Sequence, residues 1–210
     1  MISFLKNLEL RKLKAKSYRL NKGMTYVELI VVLSIFSIMT SIVLFNYKGF
    51  ENSVDIKILA NDIASKIVEA QKSAVSGNWN ANASSLWKPA YGLYFDTSSA
   101  NNKNFIYFAD LNQNDFYDSS VCSGTGECLD NISITKGNYI SSIDSYLGSI
   151  ATPLTTPLSI TFKRPDSIAI FNSNGVPLTG FDYMQITVSS SDNSIKSYIR
   201  VYPSGRIQIN

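Results

Sequence analysis

Side chains with oxygen atoms recur at short intervals in one segment near the middle of the chain. The four that could bind a cation are Asp110, Asn112, Asn114 and Asp118. They stand at positions 1, 3, 5 and 9 of a segment spaced like the calcium loop of an EF hand, where oxygen atoms surround the ion. The match is incomplete, because Asp115 replaces the loop's glycine and Val121 replaces its bidentate glutamate. The segment therefore predicts either a calcium site or a turn closed by local hydrogen bonds of Asx side chains.

Two cysteines follow this segment, and the chain contains no others. Cys122 and Cys128 enclose the sequence Ser-Gly-Thr-Gly-Glu. Redox-active pairs have closer spacing, and a metal site would need two further ligands. A short disulfide loop is therefore the favoured interpretation if the segment lies outside the cytoplasm. Such a ring restrains a loop and does not by itself indicate a function.

A third set of residues alternates basic and aromatic side chains on a predicted carboxyl-terminal strand. Its members are Lys196, Tyr198, Arg200 and Tyr202, and Arg206 follows the Pro203-Ser204-Gly205 turn. Because side chains of a strand alternate between its faces, we expect this set to face away from Ile195, Ile199 and Val201. Cations and rings on one face could hold phosphates and stack bases, as in single-strand binders. An ordinary solvated sheet face is the simpler interpretation, and DNA binding is the alternative.

Composition excludes several kinds of chemistry. The 210 residues contain no histidine, which excludes His-dependent triads, His proton shuttles and His-ligated metal sites. Hydrophobic residues make up 45% of the chain, too many for a wholly disordered protein, and a net charge of +3 does not by itself indicate nucleic acid. An anchored enzyme that uses carboxylates such as Asp110 and Asp118 is a further hypothesis, but no paired-acid pattern supports it. We therefore do not expect an enzyme.

Positive charge is concentrated at the amino end. Residues 1–23 contain seven Lys or Arg residues and one acid, Glu9, so their net charge is +6 and that of the remaining chain is −3. Residues 29–47 are 19 uncharged residues, just long enough to cross a bilayer as a helix. No Ala-x-Ala pattern follows them, so a retained anchor is favoured over a cleaved secretory signal. The basic block predicts a cytoplasmic amino end, with the remainder on the other side of the membrane.

The junction between these two segments resembles a known processing site. It reads Lys22-Gly23-Met24-Thr25-Tyr26-Val27-Glu28-Leu29-Ile30. This sequence is similar to the class III leader junction of type IV pilins and pseudopilins. The resemblance implies that a prepilin peptidase cuts after Gly23 and methylates the new amino terminus at Met24, so that Glu28 becomes the fifth mature residue. Two departures from the pattern are the long leader and Met24 in place of the usual phenylalanine.

A long helix must carry these amino-terminal features. We predict it over residues 24–76, with Gly77 as a typical carboxyl-terminal stop. Its second half is expected to pack on a head through an apolar stripe with helical spacing. The stripe consists of Leu59, Ile63, Ile67, Ala70 and Ala74.

The rest of the chain predicts an antiparallel sheet. Seven β-like runs stand between loops rich in Ser, Asn and Gly, at residues 91–95, 105–109, 158–162, 168–171, 184–188, 195–202 and 206–209. A long helix followed by short strands predicts an α+β fold. The sequence Tyr91-Gly92-Leu93-Tyr94-Phe95, an Asp-Asn turn and the closing Ser204-Gly205-Arg206-Ile207 resemble the H-type minor pseudopilins.

We therefore expect four segments. These are a basic prepilin leader (1–23), a transmembrane and assembly helix (24–47), its amphipathic continuation (48–77) and a β-rich extracytoplasmic head (78–210). The head would be periplasmic or extracellular on a protein of the inner (cytoplasmic) membrane that later enters a filament.

The family resemblance implies a structural function and a set of partners. The chain is expected to be a minor pseudopilin of a type II secretion system or a minor pilin of a type IV pilus, and a DNA-binding minor pilin is the alternative. Implied partners are the prepilin peptidase, other pilin-like subunits, the membrane assembly platform and the lipid bilayer. In a stack of parallel helices, Glu28 of one subunit would neutralise the ammonium group of Met24 in its neighbour. Apart from calcium at the Asp110 loop, no cofactor is expected.

Overall fold

The computed structural model of the chain describes residues 23–83, 88–118, 122 and 126–210. Its internal contacts divide the chain into two units, Met1–Tyr47 and Lys48–Asn210. The predicted basic leader lies outside the described residues, except for Gly23. One helix, α1, runs over Tyr26–Ser76 and supplies the secondary structure described for the first unit.

Both ends of α1 are defined by local hydrogen bonds. At the amino end, Thr25 accepts hydrogen bonds from the backbone N of Glu28 (3.3 Å, through Oγ1) and of Leu29 (3.1 Å, through its carbonyl). Thr25 is therefore the N-cap, and the helix begins two residues later than predicted. At the carboxyl end, Gly77 has a φ of +65° and its N–H bonds to Ala74, while Asn78 bonds back to Ser73. This pair of bonds is the Schellman motif, and it confirms Gly77 as the helix stop.

Eleven strands follow in the described chain and form two antiparallel sheets. Their bounds are β1 Ala90–Phe95, β2 Asn104–Asp110, β3 Cys128–Ser133, β4 Tyr139–Leu147, β5 Ile150–Pro153, β6 Leu158–Phe162, β7 Ala169–Ser173, β8 Val176–Leu178, β9 Tyr183–Ser189, β10 Lys196–Val201 and β11 Ile207–Ile209. Sheet A has the order β3-β2-β1-β6-β7-β8, and sheet B has the order β11-β10-β9-β4-β5. The predicted α+β fold with an antiparallel head is confirmed.

The second unit is built around a single core. Four of the five residues of the predicted helix stripe are fully buried, Leu59 is partly buried, and Ile56, Ala60 and Ala64 extend the same stripe. This stripe packs in one hydrophobic cluster with the inner faces of both sheets, among them Leu93 and Phe162 of sheet A. Alternation within each strand explains this arrangement, because β1, β2 and β6 direct every second side chain to the core.

A smaller apolar cluster lies on the outer face of sheet A. Phe108 of β2, Tyr117 and Cys128 are buried there, and Tyr94 and Ile106 pack against them. Gly92 lies under this cluster, because a Cβ at that position would stand 3.0 Å from the Phe108 ring and 2.5 Å from the carbonyl oxygen of Ile160. The segment between β2 and β3 thus covers a sheet face that would otherwise be exposed.

The seven predicted strands are all present, and each end lies within two residues of its prediction. Four further strands were not predicted from the sequence: β3, β4, β5 and β8. β4 is the most instructive, because it pairs with β9 in sheet B although its sequence contains three serines. Its register shifts between Ile140 and Ser142, so the buried Ile140 and Ile143 are three residues apart instead of two. This β-bulge conceals the alternation by which a strand is recognised.

Candidate functional site

The amino-terminal junction is exposed where the structure describes it. Gly23 precedes the helix, and no described atom lies within 4 Å of where its Cβ would be. Met24 is 57% exposed, and Thr25 caps the helix. Glu28 is the acidic residue of the first turn and is also exposed. The residues assigned to processing and assembly therefore lie together at an accessible helix start, with Glu28 at a position where the helix dipole favours a negative charge.

The first unit presents an apolar surface. Residues 23–44 are all exposed, and the large side chains among them are mostly Ile, Val, Leu and Phe. Four hydroxyl side chains within residues 29–44 do not need water, because each donates to a backbone carbonyl three or four residues earlier in the helix. These donors are Ser34, Ser37, Thr40 and Ser41, with oxygen–oxygen distances of 2.8–2.9 Å. Such internal pairing makes the surface compatible with lipid or with other apolar helices.

By length and composition, α1 is able to cross a membrane. Its most apolar 18-residue window has a mean hydropathy of 2.5, and none of that window is buried in the protein. Among the described residues, no second helix of this length and composition is present. A spanning helix near the amino end is thus consistent with the predicted anchor.

The Asp110–Asp118 segment is closed by hydrogen bonds within itself. The two carboxylate oxygens of Asp110, which is fully buried, accept bonds from the backbone N–H groups of Gln113, Asn114 and Asp115 at 2.7–3.2 Å. Asp118 Oδ2 accepts from the side-chain amides of Asn112 (2.8 Å) and Asn114 (2.9 Å). The four predicted ligands are therefore close together, in the pattern of an Asx-rich turn.

Sequence analysis missed a fifth member of this cluster. Glu127 is 5% exposed, and its two oxygens accept bonds from the backbone N of Leu111 (3.1 Å) and of Asp118 (3.3 Å). Burial, followed by the negative charges of Asp118 and Asp110, raises the pKa of Glu127 to about 7. Burial also raises the pKa of Asp110, against the lowering effect of its backbone hydrogen bonds. The sequence gives no signal for this contact, because Glu127 lies in a different segment and meets the loop only through the fold.

Asp115 ties the same loop to sheet A. Its Oδ2 accepts from Lys163 Nζ at 2.6 Å, and its Oδ1 accepts from Thr161 at 3.3 Å. Asn114 and Tyr117 reach the neighbouring strands, since Asn114 O accepts from Asn172 and Tyr117 N donates to Ser159. Within the described ranges, no group of three or more His, Cys, Asp or Glu side chains is arranged to hold a metal ion. Calcium binding stays a prediction.

The predicted disulfide is present between Cys122 and Cys128, whose Cα atoms are 4.8 Å apart. Cys128 is buried in the small cluster on sheet A, while Cys122 is exposed. Because Glu127 directly precedes Cys128, the ring fixes the backbone that carries the loop-closing carboxylate.

The predicted basic and aromatic face is formed on the outer side of sheet B. Lys196, Tyr198 and Arg200 alternate with buried residues along β10. Arg200 Cζ lies 4.9 Å from the Tyr183 ring, and its Nε donates to Gln185 at 3.0 Å. Arg206 Cζ lies 3.8 Å from the ring of Tyr202. The two arginines thus lie against tyrosine rings, an arrangement of cation–π type.

Comparison of the chain with protein-family models, with curated proteins and with solved structures gave no match. The fold and the site therefore define a class by their own features: an α+β protein with a long apolar amino-terminal helix and an antiparallel β head, compatible with a pilin-like fold.

Proposed function

We propose that this protein is a structural subunit of a type IV pilus or type II secretion filament, most similar to a minor pseudopilin or minor pilin. The observation that carries the proposal is the amino-terminal junction. Gly23 precedes the helix and has no described atom within 4 Å of its Cβ position. Thr25 caps the helix, Glu28 lies in its first turn, and the residues that follow are apolar and exposed. This arrangement supports cleavage of the chain by prepilin peptidase. It also supports the later transfer of the apolar helix from the membrane into a stack of other helices.

The proposed chemistry at this junction is performed on the chain and not by it. The peptidase hydrolyses the bond after Gly23 and methylates the new amino group of Met24. The resulting ammonium group of Met24 lies just before the N-cap Thr25, and Glu28 follows four residues later in the first turn of the helix. In an apolar helix stack, a misplaced carboxylate is costly, so pairing with the neighbour's ammonium group sets the register between subunits. The membrane assembly platform would act on this processed form.

Mass spectrometry of the mature amino terminus tests the proposal. The protein is expressed with and without a prepilin peptidase, next to a Gly23→Leu variant as control. We expect a chain that begins with N-methylated Met24 only when the peptidase is present and Gly23 is intact. An uncleaved chain, together with normal cleavage of a known prepilin in the same cells, would leave a plain signal-anchored protein and reject the proposal.

DNA binding is a second candidate function, favoured by the face on sheet B. Lys196, Arg200 and Arg206 lie on this surface, and among the described residues none of them has a carboxylate within 4.0 Å. Tyr198 adds an aromatic side chain to the same strand. Their cations are therefore available for phosphates, and the affinity should fall steeply with salt.

A triple variant tests this candidate. Lys196→Ala, Arg200→Ala and Arg206→Ala together should weaken the binding of single-stranded DNA and reduce the salt dependence of the remaining affinity. The matched control replaces three lysines elsewhere in the second unit, Lys57, Lys72 and Lys103, with alanine. Equal binding by the triple variant and the native protein would reject DNA binding at this face and leave the filament proposal intact.

A further inference from the structure

Both edges of sheet B have free backbone groups. At one edge, β10 and β11 are joined through the pairs Tyr198–Asn210 and Tyr202–Arg206, which are hydrogen-bonded at 2.9–3.0 Å. Because hydrogen-bonded pairs alternate along an antiparallel ladder, the N–H and C=O groups of Ile207 and Ile209 point away from β10. In the described part of the chain, no strand pairs with this side of β11.

The free edge of β11 borders a groove on the second unit. The groove has a volume of about 630 Å³, and helix α1 forms its other wall. Ala64, Val68, Ile207 and Ile209 supply apolar side chains, while Lys72 and Ser73 are among the polar ones. An extended segment placed in this groove would pair with β11 on one side and contact the helix with its side chains.

The opposite edge of sheet B is an exposed hairpin arm, defined here as residues 144–153. It contains the end of β4 and all of β5, and every β5 residue is exposed. Leu147 is 58% exposed and Ile150 is 70% exposed, although both are large and aliphatic. Leu154 N donates to Ile143 O at 2.8 Å, so the alternation along the arm directs the backbone groups of Ala151 outwards.

We propose that the hairpin arm of one copy of this protein docks in the β11 groove of the next copy, by parallel pairing of β5 with β11. The strand directions support it, because β5 and β11 both run antiparallel to the neighbours of β9 and therefore parallel to each other. Because adjacent strands of a sheet are twisted relative to each other, a second copy that is both displaced and rotated by this twist extends sheet B continuously. This inference rests on the proposed function only in that repeated contacts of this kind build a filament.

The unpaired backbone N–H and C=O groups of β5 and β11 determine the register of their pairing. With Ala151 opposite Gln208, the Ala151 N–H donates to Ile207 O, and the Ile209 N–H donates to Ala151 O. This register does not require an N–H from Pro153, which has none. It also places Ile150 and Thr152 on the inner side of the sheet, beside Ile207 and Ile209, because Ile150 and Thr152 pair with Leu147 and Ser145 on the core side of β4.

The apolar side chains of the arm and of the groove are complementary in this arrangement. Ile150 would enter the groove between Ile207 and the helix residues Ala64 and Val68. The arm contains Asp144 and no Lys or Arg. On the groove side, Lys66 pairs with Glu69 at 3.0 Å, whereas Lys72 is exposed and has no carboxylate within 4.0 Å among the described residues. The arm therefore brings no like charge to the exposed lysine, and its Asp144 lies on the outer face of sheet B, between Ile143 and Ser145 on the core side.

Disulfide trapping tests the contact in the full-length membrane protein. The double variant Ala151→Cys, Gln208→Cys replaces two exposed residues that would lie opposite each other. Within one copy they are four strand spacings apart, about 19 Å, which excludes an intramolecular disulfide. Mild oxidation should therefore give a ladder of covalent oligomers, whereas a mixture of the two single variants should give dimers only.

Two controls make the result decisive. The pair Ala151→Cys, Val176→Cys uses another exposed residue, on β8 at an edge of the other sheet, and should give no ladder. Adding Ile150→Lys to the first pair should abolish the ladder while leaving the circular dichroism spectrum unchanged. Equal ladders from both pairs, or no ladder from the first pair in folded protein, would overturn the docking. Amino-terminal processing is measured in the same cells, so a processed chain without a ladder rejects the docking alone, and a ladder from an unprocessed chain rejects the filament proposal alone.

Discussion

Thr25 Oγ1 accepts a hydrogen bond from the backbone N of Glu28 at 3.3 Å. This contact gives Glu28 a local structural reason for its position, because Thr-x-x-Glu is the capping-box sequence and a carboxylate near a helix start is favoured by the helix dipole. The proposed pairing with a neighbouring amino terminus gives it a second reason. The two roles predict different effects on filament assembly when Glu28 or Thr25 is substituted.

Glu28→Gln and Thr25→Ala separate the two roles. The glutamine variant keeps the size of the side chain but loses the charge, so we expect normal cleavage after Gly23 and loss of filament assembly. The Thr25→Ala variant removes the cap at a cost of about 1 kcal/mol to the first helical turn, and assembly should persist. Cleavage is followed by mass spectrometry, and assembly is followed by the amount of protein in sheared filaments. If both variants assembled equally poorly, Glu28 would act through the cap, and the ammonium pairing would be wrong.

Gly92 should not tolerate even one additional carbon atom. A Cβ at this position would lie 2.5 Å from Ile160 O and 2.8 Å from Thr161 Cγ2, both held by the β1–β6 ladder. Gly92→Ala is therefore expected to destabilise the head by about 1–3 kcal/mol through overpacking. Gly49→Ala is the matched control, because no described atom lies within 4 Å of its Cβ position and alanine favours a helix. Thermal unfolding in detergent should show a lower midpoint for Gly92→Ala only.

The sequence predicts the features that depend on neighbours along the chain. The apolar stripe, the Gly77 stop and the alternation of β10 are all local patterns, and the structure confirms each one. β4 was missed because a bulge breaks its alternation. Glu127 was missed because its contact with Leu111 joins segments 16 residues apart in the chain and depends on the turn between β2 and β3. Capping by Thr25 was missed although its signal, a threonine three residues before a glutamate, is present in the sequence.

The disulfide should stabilise the segment between β2 and β3 more than the rest of the head. The disulfide has a sequence separation of 6. In the chain-entropy model, such a ring stabilises the folded state by about 2 kcal/mol, because it restricts the unfolded chain. We expect Cys122→Ser combined with Cys128→Ala to lower the unfolding midpoint by a few degrees. Hydrogen exchange should increase at Leu111 and Asp118, whose backbone N–H groups donate to Glu127. Unchanged exchange at these two amides would show that the ring does not hold Glu127 in place.

The stability of the head should depend on pH through Glu127. Burial raises the pKa of this carboxyl from 4.5 to about 7, so between these values the folded state binds more protons than the unfolded state. The stabilisation from its protonated form is complete below pH 4.5 and is lost as the pH rises through about 7. This shift in the pKa of Glu127 corresponds to a contribution of at most about 3 kcal/mol to the free energy of unfolding. Burial also raises the pKa of Asp110, so this carboxyl group changes the stability with pH in the same direction.

Glu127→Gln isolates this contribution. The glutamine does not titrate, so the stability of the variant relative to the native protein should rise between pH 4.5 and pH 8. Asp192→Asn is the control, because hydrogen bonds from Ser190 and Ser194 lower the pKa of Asp192 to about 2, and its effect is confined to pH values below about 4. Unfolding midpoints of the three proteins, measured at half-unit pH steps, provide the comparison. A constant difference between the Glu127→Gln variant and the native protein over this range would mean that Glu127 is ionised throughout and that its two backbone hydrogen bonds outweigh its burial.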